Sequence, residues 1–258
     1  MLSLSSAAIA FPSMVLAVIR IDIESDGGLL NGCAYRVCMM RVKAALFDLD
    51  GTIADSRGAI RRTINHTLEV HGYAPLTADE VKGLIGVPLS QILMLRAPKE
   101  RIREMMEYYR EHYVKNSIKD ETPYAGMIGL IEWLKGRGIM VGVVTTKSDR
   151  EAIEVVGFLG LAPSVDVIIG DNDARNLKPH PEPVLDACRA LSIRPPEAVM
   201  IGDTFADILA GKAAGCRASI GVLWGNGTKE SLEEAGADHL LSSAKELKSV
   251  METLITVE

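Results

Sequence analysis

Between Val42 and Val222 the sequence alternates short apolar runs with helical patterns, and this alternation constrains the fold more than any other feature. Each run is four to eight residues long and is bounded by Gly, Asp or Lys, as expected for strands buried in a parallel sheet. The runs are Val42–Leu49, Ile139–Val144, Val165–Ile169, Ala198–Ile201 and Ala218–Val222. Helical patterns separate them at 127–135, 150–158, 181–191 and 207–214. We predict an α/β fold: a doubly wound parallel sheet, a Rossmann-like core with helices on both faces.

The segment from residue 58 to residue 121 interrupts this alternation, because it contains no strand pattern. Apolar residues recur at helical spacing from Ile60 to Leu68. The segment directly follows the first strand, so it would stand over the strand ends, where such sheets bind ligands. We predict a small all-helical cap over residues 58–121, inserted into a catalytic core formed by residues 40–57 and 122–258.

The first 39 residues are mostly apolar or small and contain only five charged residues. No Lys or Arg precedes the apolar run, which argues against a signal peptide, and Ser and Pro residues dilute it as a membrane span. We predict an N-terminal extension, either disordered or upstream of a working start at Met39 or Met40. A strand over Val15–Ile23 that packs on the core is the alternative.

Charge and cysteine usage exclude several classes of protein. With 28 basic and 34 acidic residues the net charge is −6, which disfavours a broad nucleic-acid-binding surface. None of the four cysteines forms a C-x-x-C pair, and reduced thiols are typical of a cytosolic protein. We predict a cytoplasmic protein without nucleic-acid or membrane partners, which is a monomer or a homodimer.

Polar residues follow four of the predicted strands, and parallel strands bring their carboxyl ends to one edge of the sheet. In chain order they are Asp48, Asp50 and Gly51; Thr145 and Thr146; Lys178; and Asp203 with Asp207. Asp48 and Asp50 point to the same side if the extended conformation persists. Taken singly, most of these residues have ordinary explanations such as helix capping. Together, four acids and one Lys would converge, which calls for a hard divalent cation such as Mg²⁺.

The segments Asp48-Leu-Asp50-Gly51-Thr52, Thr145, Lys178-Pro179 and Gly202-Asp203 followed by Asp207 resemble the four motifs of the haloacid dehalogenase superfamily, in order. Most members are Mg²⁺-dependent phosphatases, and the resemblance of Asp50 implies a phosphatase or phosphomutase rather than a dehalogenase or ion pump. Asp55-Ser56, Gly86-Val-Pro88, Thr145-Thr-Lys147 and Lys178-to-Pro183 are similar to the phosphoglycolate phosphatase group. Thr146 departs from the Asn usual there, and the loop over 172–177 is longer or differently turned.

The resemblance implies that Asp48 is the nucleophile and Asp50 the general acid and base. It also implies that Mg²⁺ is bound by Asp48, the carbonyl of Asp50, Asp203 and Asp207. The phosphate would be bound by Thr145, Thr146, Lys178 and the backbone near Gly51. The predicted function is hydrolysis of a small anionic phosphomonoester, first of all 2-phosphoglycolate, by a Mg²⁺-dependent phosphatase through an aspartyl-phosphate.

Three alternatives stay open. Inorganic pyrophosphate or a nucleotide is the second substrate hypothesis, a sugar phosphomutase the third, and a non-catalytic phosphate-binding module comes from a different class. The cap residues that set specificity are not identified by pattern. Basic residues of the cap could meet a substrate carboxylate, although we expect them on solvated helix faces: Arg57, Arg61, Arg62, Lys82 and Arg96. Tyr108, Tyr109 and Tyr113 could pack within the cap or in a dimer interface, and we expect them to pack within the cap.

Overall fold

The computed structural model describes residues 41–256, except 78–79, 81–83, 85 and 173, and the backbone of three N-terminal strands. These strands are β1 (Ser6–Phe11), β2 (Met14–Arg20) and β3 (Tyr35–Val37), and they form an antiparallel sheet in that order. Strand β2 overlaps the alternative prediction of a strand over Val15–Ile23. The other residues of the predicted extension lie outside the described part of the chain, and its standing remains a prediction.

A parallel sheet of six strands forms the centre of the molecule. Its strands are β4 (Ala44–Phe47), β7 (Met140–Ser148), β8 (Val167–Asp171), β9 (Ala198–Gly202), β10 (Ala218–Val222) and β11 (His239–Leu241). Their order is β11-β10-β9-β4-β7-β8, and each neighbouring pair is parallel. The chain therefore builds outward from β4 to one side and then to the other, and β4 lies at the topological switch point, where ligands bind.

Helices cover both faces of the sheet, which confirms the predicted fold class. They are α4 (Met127–Gly136), α5 (Asp149–Phe158), α6 (Glu182–Ala190), α7 (Phe205–Ala214), α8 (Lys229–Glu234) and α9 (Ala244–Thr256). Successive residues of β4 pack on opposite faces of the sheet. Phe47 belongs to the apolar cluster that includes α4, α5 and α9, and Leu46 to the cluster that includes α6 and α7. Strand β11 was not predicted, because its three residues are too short a run to stand out.

A second group of helices lies between two short antiparallel strands, β5 (Ala54–Asp55) and β6 (Thr122–Pro123). It comprises α1 (Arg57–Val70), α2 (Leu89–Leu93) and α3 (Lys99–His112), followed by a π-helical turn over Tyr113–Ser117 and a 3-10 turn over Ile118–Asp120. Because β5 pairs with β6, the chain enters and leaves this insertion at adjacent points. The helices occupy the predicted cap, whose boundaries at 58 and 121 stay a prediction.

Within the described residues, no helix is both long enough and apolar enough to cross a membrane.

Candidate active site

Lys178 connects two of the predicted acids at the carboxyl edge of the sheet. Its Nζ lies 2.8 Å from Oδ1 of Asp48 and 2.5 Å from Oδ1 of Asp207, and it donates to the carbonyl oxygen of Val144 at 2.7 Å. All three charged side chains are buried. A buried ammonium with three acceptors is fixed in position, so the site holds one positive charge directly beside Asp48.

Asp203 is held in place by groups from two loops. One carboxylate oxygen accepts a hydrogen bond from Thr52 Oγ1 at 3.1 Å, and the other accepts from the backbone N–H and the side-chain amide of Asn226, at 2.7 and 2.9 Å. Gly51 makes this approach possible, since its φ is +93° and a Cβ there would overlap the Asp203 carboxylate and the Asn226 amide. The loop after β4 therefore requires glycine where it passes Asp203.

The residues present fit a divalent cation. Asp48, Asp203 and Asp207 are buried, and one carboxylate oxygen of each lies within 4.8 Å of the others. Three carboxylates and the one ammonium of Lys178 leave two negative charges, which is the charge that a single divalent cation neutralises. Carboxylate oxygens are the hard ligands that Mg²⁺ prefers.

The pKa values of these groups reflect the crowding of charge. Burial raises the pKa of Asp48 well above its usual range; Lys178 opposes the shift, and the neighbouring acids add to it, Asp207 first. Burial, with a further contribution from Asp207, raises the pKa of Asp203 to about 6, although the hydrogen bonds from Asn226 and Thr52 act against it. Burial alone would lower the pKa of Lys178, but Asp207 and Asp48 outweigh it and raise the pKa. A bound cation would relieve the repulsion among the acids.

Asp50 lies apart from these three acids and pairs with a second buried lysine. Lys147 Nζ lies 2.8 and 2.9 Å from the two carboxylate oxygens of Asp50 and 2.9 Å from the hydroxyl of Tyr113. Tyr113 donates in turn to Glu121, whose Oε1 is 3.8 Å from Lys147 Nζ. Asp48 and Asp50 were expected to point to the same side if the extended conformation persisted; β4 ends at Phe47, and the two carboxylates contact different lysines. The charge of Asp50 still adds to the rise in the pKa of Asp48, and the joint action of the four acids stays a prediction.

This second cluster combines a sheet-edge residue with residues of the insertion. Tyr113 is fully buried, and Glu121 keeps one carboxylate oxygen, Oε2, without a hydrogen-bond partner among the described residues. Burial raises the pKa of Glu121 to about 7, with Lys147 opposing and Asp50 adding to the shift. Burial would lower the pKa of Lys147, but Asp50 and Glu121 outweigh it, so Lys147 stays charged.

The two predicted threonines flank the same sheet edge. Thr145 is buried, and its hydroxyl accepts a hydrogen bond from the backbone N–H of Lys147 at 3.2 Å. Thr146 lines a cavity of about 60 Å³ together with Asp50 and Lys147. We call this space the Asp50 cavity. The insertion also lines this cavity, with Ile60, Ile64, Ile92, Tyr109 and Arg110 among its residues.

The basic residues that were candidates for contact with a substrate carboxylate are mostly engaged elsewhere. Arg57 pairs with Asp55, Arg62 with Asp120 and Arg96 with Glu80. Arg61 is exposed, and the side chain of Lys82 lies outside the described residues. The insertion instead presents Arg110, which lines the Asp50 cavity and contacts Asp171 of β8 at 3.2 Å.

Sequence reasoning therefore missed Lys147, Tyr113, Glu121 and Asn226 as site residues. Tyr113 was expected to pack within the cap, and its hydroxyl reaches Lys147 of the core. Asn226 lies in a Gly225-Asn-Gly227 segment after β10, and a polar loop after a fifth strand is the signal that could have identified it.

A family model described as haloacid dehalogenase-like hydrolase matches residues 45–221, which include the four aspartates and Lys178. Phosphoglycolate phosphatase of Aquifex aeolicus is 33% identical over 215 residues, covering 83% of this chain and 99% of that protein. Pyrophosphatase PpaX of Halalkalibacterium halodurans is 31% identical over 212 residues, covering 82% of this chain and 98% of that protein.

Solved structures agree with the fold described above. A predicted phosphatase from Clostridium acetobutylicum superposes with a TM-score of 0.76 at 26% identity, over 83% of this chain and 99% of that one. CbbY from Rhodobacter sphaeroides, crystallised in complex with phosphate, superposes with a TM-score of 0.70 at 26% identity, over 80% of this chain and 96% of that one.

Proposed function

The chain belongs to the haloacid dehalogenase-like hydrolases, and we propose that it is a Mg²⁺-dependent phosphatase whose preferred substrate is 2-phosphoglycolate. The observation that carries this proposal is the position of Asp48, beside Lys178 and within one group of oxygen ligands with Asp203 and Asp207. A carboxylate attacks a phosphate dianion only where positive charge offsets their repulsion. This site combines the nucleophile with that charge.

The proposed reaction has two steps. Asp48 forms a bond to phosphorus as the bond between phosphorus and the leaving oxygen breaks, and Asp50 gives its proton to that oxygen. Asp50 then takes a proton from water, which attacks the aspartyl-phosphate and releases inorganic phosphate, so that Asp48 is restored. Asp50 suits this role because it lies next to the space for the leaving group, the Asp50 cavity.

Positive charge and hydrogen-bond donors complete the proposed site. Asp48, Asp203, Asp207 and the carbonyl of Asp50 would hold Mg²⁺, which offsets negative charge on the phosphoryl oxygens when it is bound. Lys178, Thr145, Thr146 and the backbone near Gly51 are proposed to bind the phosphoryl oxygens. Lys178 already bridges Asp48 and Asp207, so it needs little rearrangement to act there.

Pyrophosphate is the second candidate substrate, because PpaX is among the relatives that match nearly the whole of their own length. Phosphoglycolate and pyrophosphate share a chemical feature: the leaving group is small and carries its own negative charge. Initial rates of phosphate release with Mg²⁺ distinguish them. We expect turnover of phosphoglycolate above that of pyrophosphate, of a nucleotide and of a sugar phosphate, and loss of all turnover with a chelator.

The nucleophile is tested by Asp48→Asn, for which we expect a loss of at least about 10³-fold in kcat, as for removal of a covalent nucleophile. Asp120→Asn is the matched control, because Asp120 is an exposed Asp that pairs with Arg62 away from the site. Wild-type turnover by Asp48→Asn in the presence of Mg²⁺ would show that the assignment is wrong.

A further inference from the structure

Lys147 has a position that the proposed reaction does not yet use. It is buried, it lines the Asp50 cavity, and its ammonium is held by the carboxylate that faces the leaving group. Its remaining contacts, Tyr113 and Glu121, come from the end of the inserted segment. The ammonium is therefore fixed at the boundary between the sheet edge and the insertion.

The distances place Lys147 within reach of the far end of a small leaving group. When Asp50 donates to the leaving oxygen, the two oxygens lie about 2.7 Å apart. Lys147 Nζ is 2.8 Å from that carboxylate, so the leaving oxygen lies within roughly 5.5 Å of Nζ. In phosphoglycolate and pyrophosphate, the next oxygens lie roughly 2.5–3.5 Å beyond the leaving oxygen. A second anionic group that points towards Lys147 can therefore come within hydrogen-bonding distance of the ammonium.

The leaving groups of the two candidate substrates are small. The part of glycolate beyond its leaving oxygen has four heavy atoms, and so does the second phosphoryl group of pyrophosphate, whereas a hexose or a nucleoside has many more. The Asp50 cavity, at about 60 Å³, is a small space that suits such groups.

The other charged groups that line the cavity have partners of their own. Arg110 pairs with Asp171, and Glu151 accepts a hydrogen bond from the hydroxyl of Ser148. The carboxylate acceptor of Lys147, by contrast, is Asp50, and one oxygen of Asp50 must turn to the leaving oxygen when a substrate is bound. At that point the ammonium loses an acceptor, and a second anionic group can replace it.

We propose that Lys147 is the residue that selects substrates whose leaving group carries a second anionic group, either a carboxylate or a phosphate. This inference rests on the proposed function and narrows its substrate class. Neutral esters of similar size would bind the phosphoryl site equally well and leave Lys147 paired with Asp50.

The test compares kcat/KM for phosphoglycolate with that for ethyl phosphate, which lacks the second charge, and kcat/KM for pyrophosphate with that for methyl phosphate. We expect the wild-type enzyme to prefer each anionic substrate, and Lys147→Met to reduce each preference by about 10- to 100-fold, the effect of one charge-assisted hydrogen bond. Lys147→Arg should keep part of the preference. Lys115→Met, a change at an exposed lysine of the insertion, is the control and should leave both ratios unchanged.

An equal loss for anionic and neutral esters would overturn the inference, because it would mean that Lys147 only positions Asp50. If loss of the charge prevents folding, Lys147→Met/Glu121→Gln removes the ammonium together with the buried acid of the insertion that lies near it, and the same ratios are measured. Loss of preference for one anionic substrate alone would identify which second group Lys147 recognises.

Binding separates this inference from the proposed function. Calorimetry on Asp48→Asn with Mg²⁺ measures Kd for phosphoglycolate and ethyl phosphate without turnover, and again after Lys147→Met is added. A preference of about tenfold or more that disappears with Lys147→Met supports the inference even if the wild-type enzyme hydrolyses neither ester. Equal affinity for the two esters would overturn it, whatever the wild-type enzyme hydrolyses.

Discussion

Two buried lysines hold the carboxylates of the candidate site, and they differ in where their partners come from. Lys178 contacts Asp48 just beyond β4, the carbonyl of Val144 within β7, and Asp207 in the first turn of α7, which follows β9. Lys147 contacts Asp50 at the sheet edge, but its other partners, Tyr113 and Glu121, lie at the end of the inserted segment. The Lys178 cluster is built by the α/β core alone, and the Lys147 cluster needs the insertion.

This difference suggests a division of labour in the proposed reaction. The Lys178 cluster concentrates charge where phosphorus is attacked, and any phosphomonoester requires it. The Lys147 cluster faces the leaving group and depends on the insertion, which also lines the cavity. Because changes in the insertion alter only the second cluster, specificity can vary without loss of the chemistry. Variants of the two lysines should therefore behave differently.

The largest effect is expected for Lys178→Met. It removes the charge beside Asp48 and leaves three buried acids without their ammonium, so kcat should fall by about 10³-fold on every phosphomonoester. Lys147→Met should lower kcat on ethyl phosphate by about tenfold or less, since Asp48 and its cation site remain. Steady-state rates at saturating Mg²⁺ check both values.

Lys212→Met serves as the control for that comparison, because Lys212 is partly exposed and pairs with Asp238 on the surface. Its rate should equal that of the wild-type enzyme. Lys178→Arg keeps the charge and should recover part of the activity if the protein folds. Equal losses for Lys178→Met and Lys147→Met on ethyl phosphate would contradict the division between the two clusters.

The same difference explains what could be predicted from the sequence. Strand ends in a parallel sheet meet at one edge, so the apolar runs and their terminal polar residues were enough to bring Asp48, Asp203, Asp207 and Lys178 together. Lys178 was also followed by Pro179, which marked it as a fixed residue. These relations depend on a general rule of parallel sheets and not on the details of side-chain packing.

The Lys147 cluster could not be derived in this way. Tyr113 lies in a π-helical turn at the end of α3, and such a turn changes which side chains face the core relative to a regular helix. The helical pattern of the insertion therefore assigned Tyr113 to cap packing. Similarly, Arg57, Arg62 and Arg96 pair with acids of the same region, and no local pattern revealed those partners.

The pH dependence of stability tests the buried acid of the second cluster. The pKa of Glu121 is raised from 4.5 to about 7, so between these values the folded protein binds more protons than the unfolded chain. Its contribution to stability is therefore present below about pH 4.5 and is lost as the pH rises towards 7. The measured quantity is the free energy of unfolding of the wild-type protein minus that of Glu121→Gln. This difference should fall by up to about 3 kcal/mol from pH 5 to pH 8.

Denaturant titrations of both proteins without divalent ions provide the measurement. The contributions of Asp48 and Asp203 occur in both proteins and cancel in the difference. Glu107→Gln, a change at an exposed acid of α3 that pairs with Arg103, should give a difference from the wild-type protein that is nearly constant with pH. A difference between wild type and Glu121→Gln that stays constant or rises with pH would show that Glu121 is not held as a buried acid.

The smallest effect is expected for Tyr113→Phe, which removes one hydroxyl from the second cluster. Glu121 then loses the donor to Oε1 while Oε2 already lacks a partner, so the free energy of unfolding should fall by about 1–3 kcal/mol. Tyr109→Phe is the matched control: Tyr109 is buried and stacks on Tyr113 with ring centroids 5.6 Å apart, but its hydroxyl has no hydrogen bond to the described part of the chain.

Tyr109→Phe should therefore change the free energy of unfolding by less than about 1 kcal/mol. Substrate preference is measured on the same Tyr113→Phe variant. Because Tyr113 holds Lys147 from the side of the insertion, Tyr113→Phe should also lower the preference for phosphoglycolate over ethyl phosphate, while kcat on ethyl phosphate stays near the wild-type value. Destabilisation without any change in preference would mean that the insertion supports the fold of the second cluster but does not set the position of its ammonium.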